Sequence, residues 1–313
     1  MTTLLGLLAM SYGTARGQDD VEGYYTHVRR GRPPTAELLE ELKDRYRAIG
    51  GRSPLIEITE AQVRGLEKVL NEERSTPVIR AYHGMKHQWP YLEDAVEEMA
   101  ADGIRDAIGL VLAPHYSRFS VGEYVERVER AASSAGVSFT FVRSYGTHPA
   151  FVSFVASRVR EALGRLPADV AAEAPVIFSA HSLPARIVEA GDPYPGELQA
   201  TADAVAAEAG LSRYLTAWQS AGRTGEPWLG PDLSDALRSL AAEGVRAAVS
   251  CPVGFVCDHL EILYDIDIEA QDVARDVGVA LIRTESPNDD PAFLTALAAV
   301  INDHLSGEEN TSP

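Results

Sequence analysis

Short apolar runs recur along the chain, at residues 4–10, 77–82, 107–113, 138–142, 175–180, 214–218, 246–251 and 278–283. Between them lie longer stretches in which apolar positions return every three or four residues. A run that is apolar throughout fits a strand buried on both faces, and helical spacing between such runs supplies the cover. The alternation therefore predicts parallel sheets flanked by helices. Two of these helices carry a start signal: residues 59–73 open at Thr59 and residues 120–136 at Ser120, both good N-cap residues. Eight strands divide into four and four, with the break at SYGTHPAF (144–151), where glycine and proline interrupt the pattern. The expected fold class is α/β, with two similar Rossmann-like domains. Each is a four-stranded parallel sheet flanked by helices, and the two face one another across a cleft. Their expected bounds are residues 1–148 and 149–306, with a last helix at 291–306 packing back on the first domain and a frayed tail at 307–313.

In open parallel sheets, ligands meet the crevice outside the carboxyl ends of the strands. Four of these ends carry polar or reactive side chains: LLAMSYGT with Ser11 and Tyr12, LVLAPHYS with His115, VIFSAHSL with His181, and AVSCPVGF with Cys251. The second and third echo each other, a buried strand followed by a small residue, a histidine and a serine. His181 either caps its loop or presents an imidazole, a base near neutral pH and a common ligand for divalent metals. Tyr12 either packs half-buried or approaches a ligand from the side opposite His181.

Composition narrows the classes. A chain of 313 residues with 45% hydrophobic content can bury a full core, and its length suits two domains. The net charge of -18 argues against nucleic-acid or anionic-membrane binding, which rest on clustered positive charge. The apolar opening TTLLGLLAM has no basic flank and falls short of the ~20 residues that span a bilayer, so it reads as the first strand. Two cysteines, Cys251 and Cys257, make neither a disulfide framework, a zinc site nor a four-cysteine iron-sulfur cluster. Buried, inert thiols and a reducing cytoplasm fit them. No glycine-rich phosphate loop is present, which disfavours nucleotide chemistry.

Candidate chemistry concentrates in CPVGFVCDHLEILYDIDIEAQD (251–272), where Glu261, Asp265 and Glu269 recur every four residues along one face of a helix, bordered by apolar side chains. Such a line is either a solvated acidic face or a route for a cation or protons. From Arg29 to Arg52 the charge reverses locally, seven basic residues against four acidic ones. With Tyr24, Tyr25 and Tyr46 nearby, this stretch is either an exposed helix or a seat for a flat anion, to which Lys86 and His87 add.

Together these blocks resemble the ferrochelatase family, most closely its coproporphyrin-using branch in Gram-positive bacteria. MSYGT, YYTHVRRGRPP, IGGRSPL, LAPHYS, SAHSLP, GDPYP, WQSAGRTGEPWLGPD and CPVGFVCDHLEILYD follow in family order over almost the whole chain. The resemblance implies insertion of Fe2+ into coproporphyrin III in haem biosynthesis, with His181 and Glu261 as the paired metal-handling and proton-accepting residues and Tyr12 approaching from the other face. It implies a porphyrin seat built from Tyr12, Ser53, Arg29, Arg30, Arg45, Lys86, His87, Tyr124 and Trp228, and an outer hydrated Mg2+ site at Arg45, Asp265 and Glu269. No tightly bound cofactor is expected. A cytoplasmic monomer that does not insert into membranes, binds no nucleic acid and hands coprohaem to a haem-pathway protein is the expected setting. A chelatase for another tetrapyrrole or metal, and a non-catalytic haem or porphyrin carrier, stand as alternatives.

Overall fold

The computed structural model describes residues 4–72, 77–222 and 224–307. Its strands are β1 (Leu4–Ser11), β2 (Val78–Met85), β3 (Asp106–Val111), β4 (Ser138–Val142), β5 (Val176–His181), β6 (Tyr214–Gln219), β7 (Ala247–Cys251) and β8 (Ala280–Arg283). They form two four-stranded sheets, ordered β2-β1-β3-β4 and β6-β5-β7-β8, with every pairing parallel. The apolar runs explain the central strands: β7 is buried throughout, and β1 and β5 are buried over most of their length. The chain reverses direction across each sheet between β1 and β3 and between β5 and β7, so each has one switch-point crevice at its carboxyl edge.

The first half contributes helices α1 (Val21–Val28), α2 (Ala36–Ala48), α3 (Leu55–Glu72), α4 (Leu92–Ala101) and α5 (Val121–Ala135). The second contributes α6 (Pro149–Leu163), the short α7 (Ala168–Ala171) and α8 (Arg186–Glu189), α9 (Tyr194–Ala209), α10 (Leu233–Ala242), α11 (Gln271–Asp276) and α12 (Pro291–Ser306). One apolar core runs through both halves, joining Leu7 and Ile108 of the first sheet to Val176 and Phe178 of the second, with Phe151 of α6 and Phe293 and Leu297 of α12. Helix α12 packs on both α3 and α6. No helix among the described residues is long and apolar enough to cross a membrane.

Several boundaries differ from expectation. Helix α3 begins at Leu55 rather than Thr59, because Leu55 and Ile56 belong to its buried stripe. Ser53 accepts a hydrogen bond from the Leu55 amide at 3.4 Å, and Thr59 is buried inside the helix. Ser120 precedes α5 without capping it through its side chain; the Ser117 carbonyl takes the Gly122 amide instead. Glu73, the end of the expected first helix, and residues 1–3 and 308–313 lie outside the described residues. The largest departure is at residues 261–270, where the α-helix expected from the acidic spacing is a π-helix, Glu261–Ala270, continuing into α11. Its wider turn closes hydrogen bonds five residues back, as from the Gln271 amide to the Ile266 carbonyl.

Candidate active site

Strand β5 ends on His181, in register with Gln219 of β6. The loop that follows β7 must cross close over β5 to reach it, and Gly254 permits this. A Cβ there would lie 2.5 Å from the Cβ of Ala180 and 2.8 Å from its Cα. The Gly254 amide instead donates to the Ser179 carbonyl at 3.0 Å, which lays the start of the π-helix beside His181.

Three side chains then converge. Glu261 Oε1 lies 3.5 Å from His181 Nε2, and its Oε2 lies 3.7 Å from His259 Nε2. Each imidazole is anchored through Nδ1 to a carbonyl, His181 to Ser182 and His259 to Cys257, so both Nε2 atoms turn to the carboxylate. Phe255 walls the group, its ring centroid 6.5 Å from that of His181 and 4.9 Å from that of His259. The cluster sits deep, yet His181 and Glu261 keep 35% and 34% of their side-chain surface open.

Electrostatics fix the protonation of the pair. Burial disfavours the His181 imidazolium, but the Glu261 carboxylate, the Ser182 carbonyl and Asp265 outweigh it and push His181 up to about 9. Burial would likewise raise Glu261, but the charge of His181 and the hydrogen bonds from His181 and His259 hold it well below the usual carboxylate range. At neutral pH the two therefore stand as imidazolium and carboxylate. The sequence pattern does not single out His259, although its position two residues before Glu261 is the signal for it.

The opposite wall comes from the first half. Tyr12 follows β1 and is 43% exposed. His87 packs on Tyr12 with ring centroids 4.6 Å apart, and its Nδ1 lies 3.0 Å from that of His27. Burial and the neighbouring charges of Lys86 and His27 pull His87 down to about 3, so it is neutral. Lys86 is buried, paired with Glu123, and lies 5.0 Å from the ring centroid of Tyr124.

The expected basic patch is divided. Arg45 faces the π-helix, 3.2 Å from Asp265 and 3.7 Å from Glu269, rather than edging a seat for a flat anion. Arg47 is taken by Glu40 and Asp44, and Arg52 by Glu57. Arg29 lies over the Tyr25 ring, and Arg30, 87% exposed, reaches Glu123 at 3.5 Å. Ser53 and Tyr124 are buried rather than open to a cleft. Trp228 forms an isolated bridge to Pro184 in the loop after His181, and its indole donates to the Thr224 hydroxyl at 2.8 Å. Its neighbour Leu229 ties the same loop, its amide donating to the Leu183 carbonyl and its carbonyl accepting the Ser182 hydroxyl, each at 2.9 Å.

Beyond Glu261 the acidic line opens into a cavity of about 250 Å³ lined by Arg45, Ser220, Asp265 and Glu269. Burial and the Glu261 charge raise Asp265 to about 7, against the opposing pull of Ser220 and Arg45. Cys251 and Cys257 are buried, both thiols pushed up to about 12 by burial.

Comparison with known proteins gives a family model described as Ferrochelatase, matching residues 5–305. A coproporphyrin III ferrochelatase of Bacillus subtilis (strain 168) is 50% identical over 299 residues, covering 95% of this chain and 96% of the relative. One from Geobacillus kaustophilus (strain HTA426) is 49% identical over 298 residues, covering 95% and 94%. In structure the chain is similar to SirB from Bacillus subtilis with Fe3+, at a TM-score of 0.61 and 13% identity, covering 99% of this chain and 98% of that one. That similarity is one of fold.

Proposed function

The chain belongs to the ferrochelatase family, and from that premise we propose that it inserts Fe2+ into coproporphyrin III, giving coprohaem. The observation that carries this reading is Glu261 held between two imidazoles, those of His181 and His259. Insertion requires the loss of two pyrrole N–H protons and the stripping of water from the metal. An arriving dication makes the His181 imidazolium unfavourable, so its proton passes to solvent water and the freed Nε2 holds the iron. Glu261, already a carboxylate, accepts the two pyrrole protons in turn, and His259 on its other oxygen is placed to pass each of them to solvent. One imidazole and one carboxylate form an incomplete ligand set, weak enough to give the iron up to the macrocycle, where a full cage would retain it.

The outer cavity suits a hydrated Mg2+, which keeps several waters and takes one or two carboxylates. Asp265 and Glu269 would hold it in competition with Arg45, and the ion would supply positive charge beside the acidic line. Arg29 and Arg30, at the exposed end of α1, would meet propionates; coproporphyrin III carries four and protoporphyrin IX two, so charge-assisted bonds favour the former. We also propose that the protein works as a cytoplasmic monomer that passes its product to a haem-pathway protein.

Anaerobic Fe2+ insertion with coproporphyrin III and protoporphyrin IX side by side, in detergent-free buffer, tests this. Higher kcat/KM for coproporphyrin III is the expected result, with His181→Ala abolishing turnover while porphyrin still binds. Equal or better use of protoporphyrin IX would overturn the substrate assignment. Porphyrin binding with no insertion of iron into either substrate would make the protein a carrier.

A further inference from the structure

Two sequence blocks, LAPHYS (112–117) and GDPYP (191–195), have no part in the chemistry above. In the fold they meet. The loop after β3 crosses to the segment that opens α9, and two carboxylates from the second half receive it. Asp192 Oδ2 accepts from the Ser117 hydroxyl at 3.1 Å and from the Arg118 amide at 2.9 Å. Glu197 Oε2 accepts from the Tyr116 amide and the Ser144 hydroxyl, each at 2.6 Å. His115 Nε2 adds a contact to Thr201 Oγ1 at 3.0 Å. Asp192 is buried, and its other oxygen accepts the Tyr194 amide at 3.0 Å.

Tyr194 therefore stands between the two carboxylates that tie the halves together. Its ring packs on Trp218, centroids 5.4 Å apart, and near His115 at 6.3 Å. Its hydroxyl donates to the main-chain carbonyl of His181 at 2.9 Å. That bond orients the 181–182 peptide, and the His181 ring is itself anchored to the next carbonyl, that of Ser182.

We propose that Tyr194 is a positioning residue, the centre of an Asp192–Tyr194–Glu197 strap that sets His181 at a fixed height against the wall carrying Tyr12. The proposal rests on His181 being the group that receives the iron. A hydroxyl so placed contributes nothing to ring burial or propionate binding, so its loss falls on the reaction and not on porphyrin affinity. Displacement by about 1 Å at a reacting centre costs up to about 100-fold in rate.

The test compares wild type, Tyr194→Phe, Ser117→Ala, the double variant and His181→Ala, each measured for kcat, KM, porphyrin Kd and Tm. Tyr194→Phe is expected to lower kcat about 5- to 50-fold, with Kd for coproporphyrin III within about twofold and Tm shifted by only about a few degrees. Ser117→Ala, on the other half of the molecule, is expected to lower kcat less. The double variant is expected to lose less than the product of the two, because both cut the same strap. Wild-type kcat in Tyr194→Phe, a loss lying in Kd instead, or strictly multiplicative losses would overturn the strap with His181 untouched. Near-wild-type turnover by His181→Ala would overturn the assignment beneath it, and the strap with it.

Discussion

His259 gives Glu261 a second imidazole, and that changes what the carboxylate does. With His181 alone, a proton taken by Glu261 would have the iron site as its nearest neighbour. With His259 on the other oxygen, 3.7 Å away, it has a way out. His259→Ala is accordingly expected to lower kcat by about 100-fold, the low end of the range for a lost acid-base group. Porphyrin Kd should hold, and the acid limb of the pH-rate profile should move up, since His259 helps keep Glu261 ionised. An unchanged profile would take His259 out of the proton path. Asp265 makes a different prediction, about stability. Its folded pKa is raised to about 7 by burial and by Glu261, so the native chain binds a proton there more tightly than the unfolded chain does. Stability from this group is present at low pH and is lost as pH rises from about 4 to about 7. Asp265→Asn has no proton to lose, so its Tm relative to wild type should climb across that window when measured without Mg2+. A constant difference from pH 4 to pH 8 would refute the assignment. Added Mg2+ should raise Tm at pH 8 in wild type more than in the variant.

At the scale of elements, the loop from Pro252 to Leu260 decides whether the cluster exists. It passes β5 at Gly254 with no room for a side chain, and the obstructing atoms include the Ala180 backbone, which cannot swing away. Gly254→Ala should therefore cost about 1–3 kcal/mol of stability by overpacking. It should lower kcat by about 10-fold or more, because the loop carries His259 and Glu261 away from His181. Thermal unfolding together with steady-state rates checks this; full activity at reduced Tm would mean the loop's path does not set the cluster. The π-helix depends on similar outside support. Arg283 forks onto Asp267 at 2.7 and 2.9 Å, and the Gln219 amide approaches the Glu261 carbonyl at 3.5 Å. Such widened turns are rare in isolation and favour functional sites.

Over the whole molecule, a charge of -18 opposes an anionic substrate, while Arg29 and Arg30 attract it locally. Screening acts most on the distant, diffuse repulsion, since the Debye length is about 10 Å at 0.1 M salt. For coproporphyrin III, kcat/KM is expected to rise about two- to fivefold between 10 and 100 mM monovalent salt, as repulsive steering is screened. A fall over the same range, measured at constant pH, would mean that local attraction governs encounter. The shared core through α6 and α12 gives the two walls a common foundation, with Phe293 and Leu297 packed among residues of both sheets.

The sequence by itself determined the α/β class, the eight strands in two sets of four, and the line Glu261, Asp265, Glu269, because burial on both faces writes continuous apolar runs and the strand ends mark the crevice. It placed His181 at a strand end for the same reason. It did not determine the start of α3, since Thr59 looks like a cap locally while the buried stripe begins at Leu55. Nor did it determine the π-helix, whose hydrogen bonds close five residues back without altering the apolar pattern. Arg45 read as part of a basic stretch, yet its side chain turns to a carboxylate 220 residues away, that of Asp265. Only the tertiary structure decided that pairing, the His181–Glu261–His259 cluster and the strap at Tyr194. Each depends on at least one contact between side chains distant in sequence, and local pattern carries no record of which charges and hydroxyls meet once the sheets are packed.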